Sequence, residues 1–173
     1  RQGGEGGCGF PEPERGVEEL GHLAVGLSAD GGRVLYLKNL GFFGAFGGPI
    51  RVADLDTDEV ITVVPDAGTL PSTPFQQPAI SPDGAKVVFR SNYNLPETMP
   101  QNWVNVFLYD LDTQTLTNVS NFGDLEMNES AFAAGFTDGG ATVVFSSDDE
   151  VLEGVPAGTV RTYLYDIASA TTT

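Results

Sequence analysis

Ala79-Ile80-Ser81-Pro82-Asp83-Gly84-Ala85-Lys86-Val87-Val88-Phe89-Arg90-Ser91 decides how the chain is read. It describes a short strand, a tight turn and a returning strand. Pro82 suits the second position of a type I turn because its ring presets φ. Asp83 tolerates the bridge region that follows, and Gly84 supplies the positive φ that returns the chain to the ladder. From Lys86 to Ser91 the residues alternate, placing Val87 and Phe89 on one face and Lys86, Val88 and Arg90 on the other.

The unit occurs three times. Ser28-Ala29-Asp30-Gly31 leads into Arg33–Leu37, and Thr137-Asp138-Gly139-Gly140 into Ala141–Ser147. Gly139 stands where Asp83 does, a change the turn is expected to survive because glycine is conformationally permissive. Tyr36, Phe89 and Phe145 fall into register at steps of 53 and 56 residues, and Asp54, Asp110 and Asp166 at steps of 56 and 56. The repeats span about 22–64, 76–120 and 131–173. The first reads as strands Leu23–Leu27, Arg33–Leu37, Ile50–Leu55 and Glu59–Val64. The second adds Val104–Leu111 and Leu116–Ser120 to the opening hairpin. The third has Ala133–Phe136, Ala141–Ser147 and Arg161–Ile167, with a fourth strand only starting at Thr171.

No helical periodicity intervenes, and four short strands every fifty-odd residues are the signature of β-propeller blades. The expected fold class is all-β: three four-stranded antiparallel blades, the third incomplete, forming part of a larger propeller. Each blade buries its face against the next, so three blades leave two faces open. Further blades of the same chain, or another copy, are expected to cover them. Residues 1–20 read as a Gly-, Pro- and Glu-rich tail, with at most the start of an edge strand at Val17–Leu20. By alternation, Val34, Tyr36, Val87, Phe89, Val143 and Phe145 are the expected blade-core residues.

Ser81-Pro82-Asp83-Gly84 with Val87-Val88-Phe89 and Ser91, followed by Phe107-Leu108-Tyr109-Asp110-Leu111-Asp112-Thr113, resembles the TolB-like, Ser-Pro-Asp-Gly type of β-propeller repeat. The resemblance covers about residues 22–173. It implies a periplasmic or extracellular interaction platform, or the non-catalytic lid domain of a prolyl-oligopeptidase-like enzyme. Fold alone does not choose between them.

Eight basic and 24 acidic residues give a net charge of −16. Nucleic acid and anionic membranes are therefore poor partners, since both need cationic footprints. No apolar run approaches the roughly 18 residues of a membrane span, so no membrane insertion is expected. No signal peptide is read at Arg1. A hydrolytic triad would have to use His22, the one histidine, at a strand edge. Cys8, the one cysteine, lies in a glycine-rich stretch and forms no intrachain disulfide. One His and one Cys make zinc implausible. The chain is accordingly read as non-catalytic.

Asp54, Asp56 and Asp58 have calcium-loop spacing, but an EF-hand would need Gly at Glu59 and Glu at Pro65. Asp54–Asp58 and Asp110–Asp112 fit Asx-type turns better. Asp148, Asp149, Glu150 and Glu153 form a second acidic group. No cofactor is expected, with weak Ca2+ binding by these loops as the lesser reading. Asn118-Val119-Ser120 and Asn128-Glu129-Ser130 match the glycosylation sequon, which matters only in a eukaryotic secretory setting. The expected contact surface lies in the connections Asn39–Pro49, Asn92–Trp103 and Asp148–Val160. Phe42, Phe43, Phe46, Tyr93 and Trp103 are its candidate binding residues, the alternative being that they plug gaps between blades.

Overall fold

A computed structural model describes residues 22–38, 49–64, 76–91, 104–120, 131–148, 151–152, 154 and 158–173. Blade 1 consists of β1 (His22–Leu27), β2 (Arg33–Lys38), β3 (Ile50–Asp54) and β4 (Val60–Val64). Blade 2 holds β5 (Gln76–Ile80), β6 (Lys86–Ser91), β7 (Asn105–Asp110) and β8 (Thr115–Asn118). Blade 3 holds β9 (Ala131–Thr137), β10 (Thr142–Ser147), β11 (Arg161–Asp166) and β12 (Thr171–Thr172). Each is a four-stranded antiparallel meander in chain order. The short β12 pairs only with Tyr165 and Asp166, as an incomplete fourth strand would.

The repeat alignment becomes a physical register. Arg33 pairs with Asp54, Lys86 with Asp110 and Thr142 with Asp166 across the middle strands. Three residues further along the second strand, Tyr36 faces Arg51, Phe89 faces Phe107 and Phe145 faces Tyr163. The first strands converge, β5 contacting both β1 and β9, so they form the inner side of the array.

The core lies between blades rather than within them. Leu35, Leu37, Ile50 and Val52 of blade 1 pack with Val87, Phe89, Phe107 and Leu111 of blade 2. Val88, Val106 and Leu108 on blade 2's other face pack with Val143, Phe145, Tyr163 and Tyr165. Blade 2, sandwiched on both sides, buries both faces of β6 and does not show the half-polar alternation of a one-sided strand. The rings of Phe89 and Phe107 stack at 5.7 Å, and those of Phe145 and Tyr163 at 5.5 Å.

One expectation needs correction. Val34 and Tyr36 are only half-buried, and β2 instead buries Leu35 and Leu37. Both are in register with Val87 and Phe89, but their face of blade 1 has no neighbouring blade among the described residues. Period-2 alternation identifies two faces and not which one is covered. The third turn also differs. Asp138, Gly139 and Gly140 take φ of 52°, 63° and 100° in a short 3-10 turn closed by Ala141 N–H donating to Asp138 O at 3.1 Å. Glycine keeps the chain reversal, but with a different backbone path from the Ser-x-Asp-Gly turns.

Candidate rim and inter-blade site

Antiparallel order sends the turns after each first and third strand to one rim. Each turn is built by its own side chains. Gly84 N–H donates to Ser81 O at 2.9 Å, and Gly84 has φ of 73°. Ser81 Oγ donates to Asp83 Oδ1 at 2.5 Å and accepts from Lys86 N–H at 2.9 Å. Asp83 Oδ1 also accepts from Ala85 N–H at 3.0 Å. Blade 1 repeats the pattern: Ser28 Oγ donates to Asp30 at 2.6 Å, and Gly32 N–H reaches the same carboxylate at 2.9 Å. Donors aimed at an anion favour the ionised form. The Ser28 hydroxyl and then the Gly32 amide hold Asp30 below the ordinary 3.8, as the Ser81 hydroxyl and Ala85 amide do for Asp83.

The second set of turns carries Asp54, Asp110 and Asp166. Thr57, Thr113 and Ser169 donate backbone N–H to them at 3.0, 2.9 and 2.7 Å. Those amides, first among the causes, lower all three carboxyls. The next residue in chain ties each turn to its hairpin partner: Leu55 N–H donates to Gly32 O, Leu111 to Ala85 O and Ile167 to Ala141 O. The Asx-type reading of Asp54 and Asp110 is what the structure shows.

The turns also join blade to blade. Ala29 N–H donates to Pro82 O at 2.8 Å, and Arg33 Nη1 donates to Gly84 O at 3.0 Å. Arg33 pairs within its blade with Asp54 at 3.3 Å and approaches Asp112 of blade 2 at 3.9 Å. Gly84 sits on this seam: a Cβ there would lie 3.1 Å from Arg33 Cδ and 3.2 Å from Ser28 Cβ. Gly140 repeats the seat, where a Cβ would meet Pro82 Cδ at 3.2 Å. A notch of about 280 Å3 opens between blades 1 and 2, lined by Asp30, Asp54, Asp56, Asp83 and Asp112 around Arg33. The rim is thus strongly anionic, a feature the net charge announced without locating.

The candidate binding residues Phe42, Phe43, Phe46, Tyr93 and Trp103 all lie outside the described residues. So do Cys8, Asp149, Glu150, Glu153, the 1–20 tail and the Asn128 sequon. His22 begins β1. At the base of the third long connection, Gly158 N–H donates to Asp148 O at 2.7 Å. The Asn118 sequon is structural. Val119 and Ser120 are buried, Ser120 Oγ donates to Asn105 Oδ1 at 3.0 Å, and Asn118 Nδ2 donates to the same oxygen at 3.3 Å. Among the described residues, no group of three or more His, Cys, Asp or Glu is arranged to hold a metal, and no helix is long and apolar enough to cross a membrane.

The ion pair between the second and third strands of blades 1 and 2 escaped the sequence reading although a signal existed. A cation opens the second strand in Arg33 and Lys86, opposite Asp54 and Asp110. Lys86 Nζ reaches Asp110 at 3.4 Å, as Arg33 reaches Asp54.

Comparison with solved structures carries the same architecture further. TolB from Acinetobacter baumannii superposes with a TM-score of 0.51 at 22% identity, over 88% of this chain and 31% of TolB. The β-propeller domain of the Trilobed protease from Pyrococcus furiosus, described as having an open velcro topology, gives 0.54 at 14% identity. That match covers 88% of this chain and 40% of the domain's chain. The chain folds as three blades of a TolB-like β-propeller. Porphyromonas gingivalis dipeptidyl peptidase 4 gives 0.54 at 16% identity, over 85% of the propeller chain and 24% of the peptidase. The propeller therefore spans a third or so of TolB and less of the peptidase. No protein-family profile matches its sequence, and no curated protein matches it.

Proposed function

We propose that the chain is a non-catalytic, extracytoplasmic propeller module that binds or scaffolds protein partners, a role that includes membership of a cell-surface assembly. One observation carries the reading: the two rims are unequal. On the short-turn rim the turn carboxylates Asp54 and Asp83 are bonded to turn amides and Arg33 is bonded to the next blade. The long connections leave from the opposite strand ends, where a rigid stack can present variable loops without disturbing its core. Aromatics there suit contact because they bury large area at little entropic cost. No cofactor is assigned to this role.

Photo-crosslinking tests it. A photoreactive residue at Phe43 or Trp103 should capture a protein partner in the source cell envelope, whereas one at Asp56 or Asp83 should not. Capture confined to the acidic rim would sink the long-loop assignment.

A second reading has its own support, the likeness to a dipeptidyl peptidase and to a protease propeller domain. Here the chain would be the accessory propeller of a larger hydrolase. A Gly-x-Ser-x-Gly elbow followed by Asp and His in the gene beyond Thr173 would favour it. Turnover of ester, peptide or glycoside substrates by these 173 residues, lost on His22→Ala, would overturn both readings.

A further inference from the structure

Three Asp-Gly pairs occur in the chain, Asp30-Gly31, Asp83-Gly84 and Asp138-Gly139, each in the turn joining the first and second strands of a blade. Asp-Gly is the sequence most open to attack of the backbone on its own side chain. The glycine nitrogen reaches the aspartate Cγ, and the missing glycine side chain removes the main steric barrier to the rotation required. How firmly the two reactants are held then decides whether a given pair reacts.

Both are held in blades 1 and 2. Ser28 Oγ and Gly32 N–H donate to Asp30 Oδ1 at 2.6 and 2.9 Å. Ser81 Oγ and Ala85 N–H donate to Asp83 Oδ1 at 2.5 and 3.0 Å. The attacking nitrogens are engaged as well: Gly31 N–H donates to Ser28 O at 3.0 Å and Gly84 N–H to Ser81 O at 2.9 Å.

Blade 3 departs from this arrangement by one residue. In the repeat register Thr137 stands at Ser81, so Asp138 falls at Pro82 and Gly139 at Asp83. The Asp138 carboxylate therefore lies one position short of the seat in which Asp83 is bound. Thr137, at the start of the 3-10 turn, makes no side-chain capping bond. Gly139 is the second residue of that turn, where an amide has no partner within the turn and relies on such a cap. The closing bond runs instead from Ala141 N–H to Asp138 O. Asp138 and Gly139 are exposed, both have positive φ, and a Cβ on Gly139 would meet nothing within 4 Å. The third pair thus has a carboxylate and an amide nitrogen with room to turn toward each other.

We propose that Asp138-Gly139 is a site of spontaneous isomerisation, at which Asp138 converts to isoaspartate. Gly139 N forms a bond to Asp138 Cγ, and its proton leaves with the hydroxyl of the carboxyl, in its acid form, as one water. Water then adds to the five-membered imide. Addition at Cγ restores aspartate. Addition at the Asp138 main-chain carbonyl carbon breaks the original bond to Gly139 and routes the chain through Cγ. One water is lost and one regained, and nothing is oxidised or reduced. The product lengthens the backbone of the β9–β10 turn by one methylene. That turn meets blade 2 where a Cβ on Gly140 would lie 3.2 Å from Pro82 Cδ, so the change falls on the seam between blades 2 and 3. The inference does not depend on what either rim binds.

Ageing the full 173-residue chain at neutral pH tests it. The probe is a protein isoaspartate methyltransferase with labelled S-adenosylmethionine, and electron-transfer peptide mapping places the site. Isoaspartate should accumulate at Asp138 at least about tenfold faster than at Asp30 or Asp83, where several hydrogen bonds must open first. Unfolding in urea should bring the three sites to similar rates. Asp138→Asn, a residue that tolerates positive φ, should give isoaspartate at this position faster still, because ammonia leaves more readily than water. Ser81→Ala should raise the rate at Asp83 by removing one of the bonds that hold its carboxylate. Equal rates at the three pairs in the folded chain would overturn the proposal, as would a preference for Asp138 that persists in urea. So would an Asp138 peptide still unlabelled in the folded chain after the urea-treated chain has reacted.

Discussion

Replacing Phe89 by alanine should cost about 4 kcal/mol, while replacing Tyr36, its counterpart one repeat earlier, should cost only about 1 kcal/mol. Phe89 is fully shielded between blades 1 and 2 and stacks on Phe107 at 5.7 Å. A buried phenylalanine removes on the order of 200 Å2 from water. At about 25 cal/mol per Å2 this is worth roughly 5 kcal/mol, of which the alanine methyl retains about 1. The stacked pair and the cavity left beside Phe107 keep the figure within the roughly 3–5 kcal/mol of core Phe→Ala changes. Tyr36 occupies the same register on a face against which no neighbouring blade packs among the described residues, and it is only half-buried, so its removal empties less enclosed space. Urea denaturation followed by far-ultraviolet circular dichroism measures both. Equal losses for the two variants would refute the idea that the core lies between blades. A Phe89→Ala midpoint indistinguishable from the parent would remove the repeat alignment's physical basis.

Gly84→Ala should destabilise more than Gly139→Ala by on the order of 1–3 kcal/mol, measured by the same denaturation. Both positions have positive φ, but only Gly84 would press a Cβ onto Arg33 and Ser28. Stability should hold above pH 5 and fall as pH drops below about 4, measured as urea midpoints in high salt that screens the net charge. The sign follows from depressed folded-state carboxyls at Asp30, Asp54, Asp83, Asp110 and Asp166. They contribute stability above their unfolded value and lose it as pH falls through the folded one. A midpoint that rises on acidification would contradict this. Millimolar Ca2+ should leave the melting temperature unchanged, because Asp54 is engaged by Asp56 and Thr57 amides and by Arg33. A rise that Asp54→Asn abolishes would revive the calcium reading.

The blade repeat was legible in the chain itself because it rests on local chemistry. Pro82, Asp83 and Gly84 have backbone preferences that hold in a short peptide, and the Ser81–Asp83 network closes within six residues. Asp54, Asp110 and Asp166 likewise satisfy amides two or three residues ahead, so their equivalence is readable by subtraction alone. The third turn shows the limit of that reading, since glycine at 139 preserves a reversal without dictating its path.

Tertiary structure decided what alternation leaves open. Val34 and Val87 are indistinguishable in pattern, yet only Val87 is fully buried, because burial depends on whether a second sheet lies alongside. The same holds for charge. Arg33 reads as a surface cation beside an acidic turn, and only the stacking of blade 2 brings Gly84 O within 3.0 Å of it. Arg51 reads as one more polar strand residue until the register sets it in the place of Phe107 and Tyr163. Neighbours within a turn are specified by residues a few positions apart. Neighbours across a seam are specified by how whole sheets pack, which no local pattern encodes.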